Sequence, residues 1–280
     1  MEVFNKNAKL TTALRPYKNL KKIGFVPTMG ALHQGHLSLV SQALKQNDCV
    51  VVSIFVNPTQ FDNEGDLVKY PRTLDKDVAL LKTLQGTIFI YAPEVKELYN
   101  NNVQSKSFNF GPIANEMEGK HRKGHFDGVG TVVSLLLKAV QPTNAYFGEK
   151  DFQQLQIVKK LVELEKLPVR IVGCPIIRET NGLAMSSRNK RLSPQQLEAA
   201  TIIHKSLQMA AAHFSEKSIP VLNAMIAANF KESNLTLEYF EIANEKTLKT
   251  AQRKRKENTY RGFIAAFVGE VRLIDNYRLN

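Results

Sequence analysis

The sequence predicts an α/β protein, with a parallel sheet between helices in its first part and a small α+β domain in its second. Three observations carry that prediction. Short apolar, β-branched runs alternate with stretches of helical periodicity as far as residue 177, and strands separated by helices are joined by crossovers into a parallel sheet. Two of these runs, 49–56 and 87–91, are almost unbroken in apolar character, as expected of strands buried on both faces. Beyond residue 190 the order changes to two helical stretches followed by neighbouring strand-like runs, the pattern of an α+β domain.

Taken in order, 23–27 is a short apolar strand that ends in a glycine-containing loop, and 36–44 carries helical periodicity. The run 49–56 is a strand that stops at Asn57 and Pro58. Residues 75–84 read as an amphipathic helix, 87–91 as a buried strand and 131–140 as a helix. A strand at 144–147 is followed by a helix from Asp151 to about 165, and 169–177 closes the series as a strand despite Pro175. In the second part Ser193 is an N-cap, Pro194 takes the first helical position and Gln196 completes a capping box. That helix is expected to reach about residue 214, and a second covers 220–231. Strands follow at 235–242 and 260–268, then 271–274 after the Gly269–Glu270 turn. The domain boundary falls near Arg178, which divides the chain into domains 1–177 and 178–280.

Composition narrows the functional class. Of 280 residues 43 % are hydrophobic, enough for a full core, which excludes a disordered chain. The formal net charge of +12 suits a nucleic acid, an anionic membrane surface, small anionic substrates, or simply a solvated basic face. The basic residues are spread along the chain, and the one tight run, Arg253 to Lys256, sits between two strand-like segments as a hairpin loop does. Cys49 and Cys174 lie in or beside apolar runs and are expected to be buried free thiols. The first ten residues lack the apolar centre of a secretory signal, and no apolar run approaches ~18 residues. The expected compartment is the cytoplasm.

The chemistry-bearing residues cluster at strand ends. In Pro27 to Val40, PTMGALHQGHLSLV, a strand ends, a glycine loop follows, and His33 and His36 open a helix. Unpaired N–H groups at a helix start attract phosphate, Gly30 and Gly35 permit close approach, and two imidazoles on one side of the first turn can stabilise developing charge. Local capping by the histidines is the alternative. In VVSIFVNPTQF, the amide of Gln60 offers a donor and an acceptor beyond a buried strand; a turn hydrogen bond is its alternative. Tyr70-Pro71-Arg72-Thr73 with Asp75 and Asp77 reads as a helix start with acidic residues in the favourable first turn. In RKGHFDGVGTVV, Arg122 and His125 face an anionic substrate or cap the next helix, and for His125 the cap is expected. In YFGEKDFQQL, Lys150 is a point charge at a strand–helix turn, Asp151 lies in the first turn, and Gln154 shares a face with Lys150. In IRETNGLAMSSRN, Ser186, Ser187 and Arg188 gather hydroxyls and a guanidinium suited to phosphate oxygens, on a segment that also reads as an interdomain turn at Asn181–Gly182.

These blocks, in this order from Gly24 to Asn189, resemble the pantothenate synthetase family of the nucleotidylyltransferase superfamily, with a weaker likeness at Arg272 to Asn276. The resemblance implies a Rossmann-like nucleotide-binding domain with a HIGH-type motif, a small lid-like C-terminal domain, and a homodimer. It implies ATP-dependent joining of pantoate and β-alanine through an acyl-adenylate, with Mg²⁺ accompanying ATP. By matching positions, His33, His36, Lys150 and Arg188 are the expected catalytic groups. Met29, Gly30 and Ile177, by main chain, and Gly148, Asp151, Met185, Ser186 and Ser187 join them in binding ATP. Gln60 and Gln154 are expected at pantoate and β-alanine, and Asp77 near the metal. The segment with Ser186 to Arg188 looks like a KMSKS-type loop. Two other classes remain as rivals: a nucleotidylyltransferase that makes a stable dinucleotide-like product, and a basic nucleic-acid-binding module. The first has no use for paired glutamines, and the second lacks basic residues clustered with aromatics.

Overall fold

The computed structural model describes residues 1–18, 21–61 and 64–280. In chain order its first elements are β1 (Glu2–Phe4), α1 (Asn7–Leu14), β2 (Ile23–Thr28), α2 (Gln34–Gln46), β3 (Cys49–Ile54), α3 (Glu64–Lys69), α4 (Leu74–Leu81), β4 (Ile88–Tyr91) and α5 (Val95–Tyr99). There follow α6 (Met117–His121), α7 (His125–Val140), β5 (Asn144–Gly148), α8 (Phe152–Leu164) and β6 (Arg170–Cys174). The last are α9 (Pro194–Ala199), α10 (Thr201–Ala212), α11 (Ile219–Lys231), β7 (Thr236–Asn244), β8 (Tyr260–Val268) and β9 (Val271–Arg278).

These elements form two compact units that are interleaved along the chain. One comprises Met1–Phe110, Arg122–Glu149 and Gln154–Pro175; the other comprises Gly111–His121, Lys150–Gln153 and Ile176–Asn280. In the first unit the described strands form a six-stranded sheet in the order β1-β4-β3-β2-β5-β6, and every pairing is parallel. The chain therefore runs from β2 outward to β3 and β4, then returns to place β5 on the other side of β2. Such a reversal is where open α/β sheets bind ligands, outside the carboxyl ends of the strands. The carboxyl ends of β2, β3 and β5 lead into Met29, Asn57 and the Gly148 turn respectively, at one edge of the sheet. Val26, Val50, Val52 and Ile90 are fully buried in its core, each worth roughly 1.5–3 kcal/mol against exposure.

In the second unit β7, β8 and β9 form an antiparallel sheet. Helices α10 and α11 pack Ile203, Leu207, Leu222, Ile226 and Phe230 with Ile242, Ile264 and Leu273. Phe263 and Ala265 of β8 pack instead with Met117, Phe152 and Leu248. The middle strand is thus covered on both faces, and its residues are buried almost without alternation. This explains why Gly111–His121 belongs to this unit. Its Glu118 receives a two-pronged ion pair from Arg272 of β9, at 2.9 and 2.7 Å, and the Tyr239 hydroxyl at 2.7 Å.

Several elements differ from their expected extents. The edge strand β1 pairs with β4 through Glu2↔Phe89 to Phe4↔Tyr91, a non-local pairing that three residues of sequence do not announce. Strand β6 ends at Cys174, ahead of Pro175, because proline has no N–H for the ladder. Helix α7 begins at His125, six residues before the expected start at Thr131, and β9 runs on to Arg278. The capping box at Ser193 and Gln196 is present, but the helix after it gives way at Ala200 to a second one, α10. The basic run 253–256 does lie in the β7–β8 connection. Its Lys254 ammonium donates to the carbonyls of Phe214, Ser215 and Lys217, in the turn between α10 and α11, and so satisfies acceptors that no helix or sheet ladder engages. Both cysteines are buried and free, and burial pushes their thiols up to about 12 for Cys49 and about 11 for Cys174, so neither is a nucleophile at neutral pH. No helix of the described residues is long and apolar enough to cross a membrane.

Candidate active site

The turn after β2 is built by side chains on either side of it. Thr28 donates its hydroxyl to the Ser53 carbonyl at 2.7 Å and accepts the Gly30 N–H at 3.1 Å. Gly30 and Ala31 both have left-handed backbone, with φ of 82° and 51°. A Cβ at Gly30 would stand 3.0 Å from both Asp77 Oδ2 and Ile54 Cγ2. Ala31 bears a cost of about 1–2 kcal/mol in that conformation. The Asp77 carboxylate offsets it by accepting the Ala31 N–H at 3.0 Å and the Leu32 N–H at 2.7 Å, and hydrogen bonds to a charged group contribute about 1.5–3 kcal/mol. Asp77 is buried in the first turn of α4 and takes a third donor, the Thr73 hydroxyl, at 3.3 Å.

His33 is the N-cap of α2, and its Nδ1 accepts the Gly35 N–H at 3.2 Å. Capping was the alternative to a ligand role, yet the two are compatible. A neutral imidazole that accepts at Nδ1 carries its proton on Nε2, the tautomer that donates to a phosphate oxygen. The His36 ring lies against it, centroids 4.1 Å apart. The N–H groups of Gly30, Ala31, Leu32, Gly35 and His36 are all engaged within the protein. The anion affinity expected of this loop therefore rests on its imidazoles more than on these amides.

Gln60 sits in the short helical turn Pro58–Gln60 beyond β3. Its Oε1 accepts from Asn57 Nδ2 at 3.1 Å, and its Nε2 donates to Met29 Sδ at 3.2 Å. A thioether is a weak acceptor, readily exchanged for a substrate oxygen. Asn57 is itself buried: Nδ2 also reaches the Gly128 carbonyl at 3.2 Å, while Oδ1 accepts from the Tyr99 hydroxyl at 2.5 Å and from Thr59 at 3.2 Å. Burial raises the Tyr99 phenol above its ordinary range, against the pull of its bonds to Thr59 and Asn57, so it stays a donor at neutral pH. Sequence reasoning noted Asn57 only as a strand end. The signal available was a polar residue directly after a nearly unbroken apolar run.

His125 does not cap α7; the N-cap is Gly124. The His125 Nδ1 instead meets the Gln60 carbonyl at 2.9 Å, which requires Nδ1 to carry the proton, and its Nε2 lies 3.1 Å from Arg122 Nη1. Arg122 and His125 thus hold the Gln60 backbone. Gly128 closes the same contact, because a Cβ there would be 2.3 Å from the Thr59 carbonyl oxygen.

Gly148 ends β5, and Glu149–Asp151 form a helical turn. The Lys150 side chain is 21 % exposed, with Nζ 3.7 Å from Asp151 Oδ1, and its carbonyl accepts from Asn276 at 2.8 Å. The adjacent glutamines divide their tasks. Gln153 is buried and spends its amide on the Glu118 N–H and on the carbonyls of Ile113 and Glu116. Gln154 is half-buried and has no such ties among the described residues.

Residues 177–185 form a tight hairpin, with the Met185 N–H on the Ile177 carbonyl at 3.0 Å and Arg178 bridged to Ala184. Its base is pinned by Arg178, which pairs with Asp275 at 2.6 and 3.1 Å. Ser186 then caps a helical turn, Ser187–Arg191, by accepting the Arg188 N–H at 3.2 Å. Ser187 is buried, while Met185, Ser186 and Arg188 are half-buried.

A metal fits this donor set poorly. Among the described residues no three His, Cys, Asp or Glu side chains group as ligands, and both Asp77 oxygens are turned onto backbone N–H groups. Each Asp77 oxygen is thus already committed to at least one N–H of the turn.

The chain matches the family model of pantoate-beta-alanine ligase over residues 2–278. It is 53 % identical over 281 residues to the pantothenate synthetase of Flavobacterium psychrophilum, with 100 % of both chains covered. Among solved structures it is similar to pantothenate synthetase from Thermus thermophilus, with a TM-score of 0.92 and 38 % identity over 100 % of this chain and 99 % of that one. It is also similar to pantoate-beta-alanine ligase from Francisella tularensis, solved with beta-gamma ATP and beta-alanine, with a TM-score of 0.83 and 37 % identity over 99 % of this chain and 97 % of that one. With a matching family model across nearly all its length and relatives of this identity, the chain belongs to the pantoate–β-alanine ligase family.

Proposed function

We propose that the residues at the carboxyl ends of β2 and β3 serve the two halves of the family reaction, the condensation of pantoate with β-alanine at the expense of ATP. A carboxylate is a poor electrophile, so it is first activated. A pantoate carboxylate oxygen attacks the α-phosphorus of ATP, the bond to the bridging oxygen breaks, and diphosphate leaves. The β-alanine amine then attacks the acyl carbon of the adenylate, loses a proton, and AMP leaves with the electron pair of the broken C–O bond. The first step asks chiefly for positioning and for stabilisation of charge.

In this reading His33 and His36 donate to phosphate oxygens, as do Lys150 and the Ser186, Ser187 and Arg188 set. Met29, Gly30, Gly148, Asp151, Ile177 and Met185 line the nucleotide, and Gln60 and Gln154 hold pantoate beside β-alanine. Mg²⁺ arrives with the triphosphate and keeps much of its water, as this ion commonly does. Residues 1–177 bind nucleotide and pantoate, and 178–280 act as a lid. We assign the enzyme to the cytoplasm on its sequence composition, and the homodimer follows the family resemblance.

The observation that carries this reading is the pairing, on neighbouring strands of one sheet, of a His-x-Gly-His helix start with a glutamine whose amide is oriented by a buried asparagine. ATP–diphosphate exchange should appear only when pantoate is present, without β-alanine. Exchange that ignores pantoate would point to a simple nucleotidylyltransferase. Gln60→Ala should raise the pantoate KM at least ~10-fold, the scale of a lost buried hydrogen-bond pair, while leaving the ATP KM near that of the parent. An unchanged pantoate dependence would remove Gln60 from that role.

A further inference from the structure

We infer that Asp77 is a positioning residue for adenylation, acting through the backbone of the turn that presents His33 and His36. The inference rests on the placement of ATP at those histidines. Four observations support it. Asp77 is a buried carboxylate on α4 that reaches a turn 45 residues earlier in the chain. Each of its oxygens takes one N–H of the turn, Oδ2 from Ala31 and Oδ1 from Leu32. Ala31, a non-glycine residue, is held there at a positive φ of 51°. Two positions after Ala31, His33 is the N-cap whose ring accepts the Gly35 N–H. The direction of both imidazoles therefore depends on a backbone that alanine does not adopt unaided.

A carboxylate suits this task because both its atoms accept. An asparagine turns an amide N–H₂ toward one of the two backbone donors, so one hydrogen bond becomes an opposition. The loss falls on the geometry of transition-state donors, where small displacements are costly.

The test is Asp77→Asn, assayed by ATP–diphosphate exchange at several Mg²⁺ concentrations and compared with Ala31→Gly and the double variant. Wild type is the control: if it makes no pantothenate, the functional reading fails and the inference is not at issue. The expected result is a kcat lower by about 10- to 100-fold, with a pantoate KM within about twofold. The loss should persist at saturating Mg²⁺. Ala31→Gly in the Asp77→Asn background should recover a part of kcat, because glycine takes positive φ without a steric cost. Full recovery by Mg²⁺ alone would make Asp77 a metal ligand and overturn the inference. So would unchanged kinetics, a loss that merely follows the folded fraction, or no recovery in the double variant. Should Asp77→Asn fail to fold, Thr73→Val, which removes only the hydroxyl on Oδ1, is read in the same way: about a threefold loss in kcat supports the inference, and none overturns it.

Discussion

Alanine at His36 or at Lys150 should each lower pantoate-dependent ATP–diphosphate exchange by ~10²-fold or more, the usual effect of removing one preorganised donor to a developing charge. That corresponds to about 2.7 kcal/mol in the barrier. Both variants should remain folded, because neither side chain carries the core. His36 sits in the first turn of α2, where its backbone N–H bonds the His33 carbonyl whatever its side chain. Lys150 keeps its only described ion-pair partner, Asp151, at 3.7 Å, and that carboxylate is 45 % exposed, so the pair adds little to stability. A lysine held for structure would be expected to have a closer or drier partner. Full exchange in both variants, with normal thermal unfolding, would refute the assigned roles.

Arg272→Ala should destabilise the protein by about 3–5 kcal/mol, measured by urea unfolding, with the adenylation chemistry of the remaining folded protein largely intact. The magnitude is that of breaking a buried pair and leaving its partner charged. Arg272 donates to Glu118 through both terminal nitrogens and to Glu238 through Nε at 3.0 Å and Nη2 at 2.5 Å. The Tyr239 hydroxyl completes the set on Glu118. Burial, then the Glu118 charge, hold that phenol well above its ordinary range. It therefore remains protonated and cannot relieve Glu118 once the guanidinium is gone. The double variant with Glu118→Ala should cost less than the sum of the two single changes, since the second removes the stranded charge. A loss under ~1 kcal/mol for Arg272→Ala would mean that the pair is wet and ordinary.

Much of this was legible in the chain itself. The buried parallel strands, the capping box at Ser193 and the ordered blocks around His33, Gln60, Lys150 and Ser186 are local signals, because periodicity, caps and turns are decided by residues within a few positions of one another. The partners of those residues were not legible. Asp77 was expected near the metal, and nothing local announced that its two oxygens accept the Ala31 and Leu32 N–H groups. His125 looked like a cap until it met the carbonyl of Gln60.

By itself the sequence determined the types of most elements, the family, and which polar side chains stand at strand ends. Only the tertiary structure decided that β5 returns beside β2, that Asn57 orients Gln60, that Gln153 rather than Gln154 is spent on the backbone, and that Gly111–His121 packs with the C-terminal sheet. The reason is the range of the interactions. Propensity acts between near neighbours, whereas a buried carboxylate or amide is satisfied by whichever donor the fold brings to it, and that donor can lie anywhere in the chain.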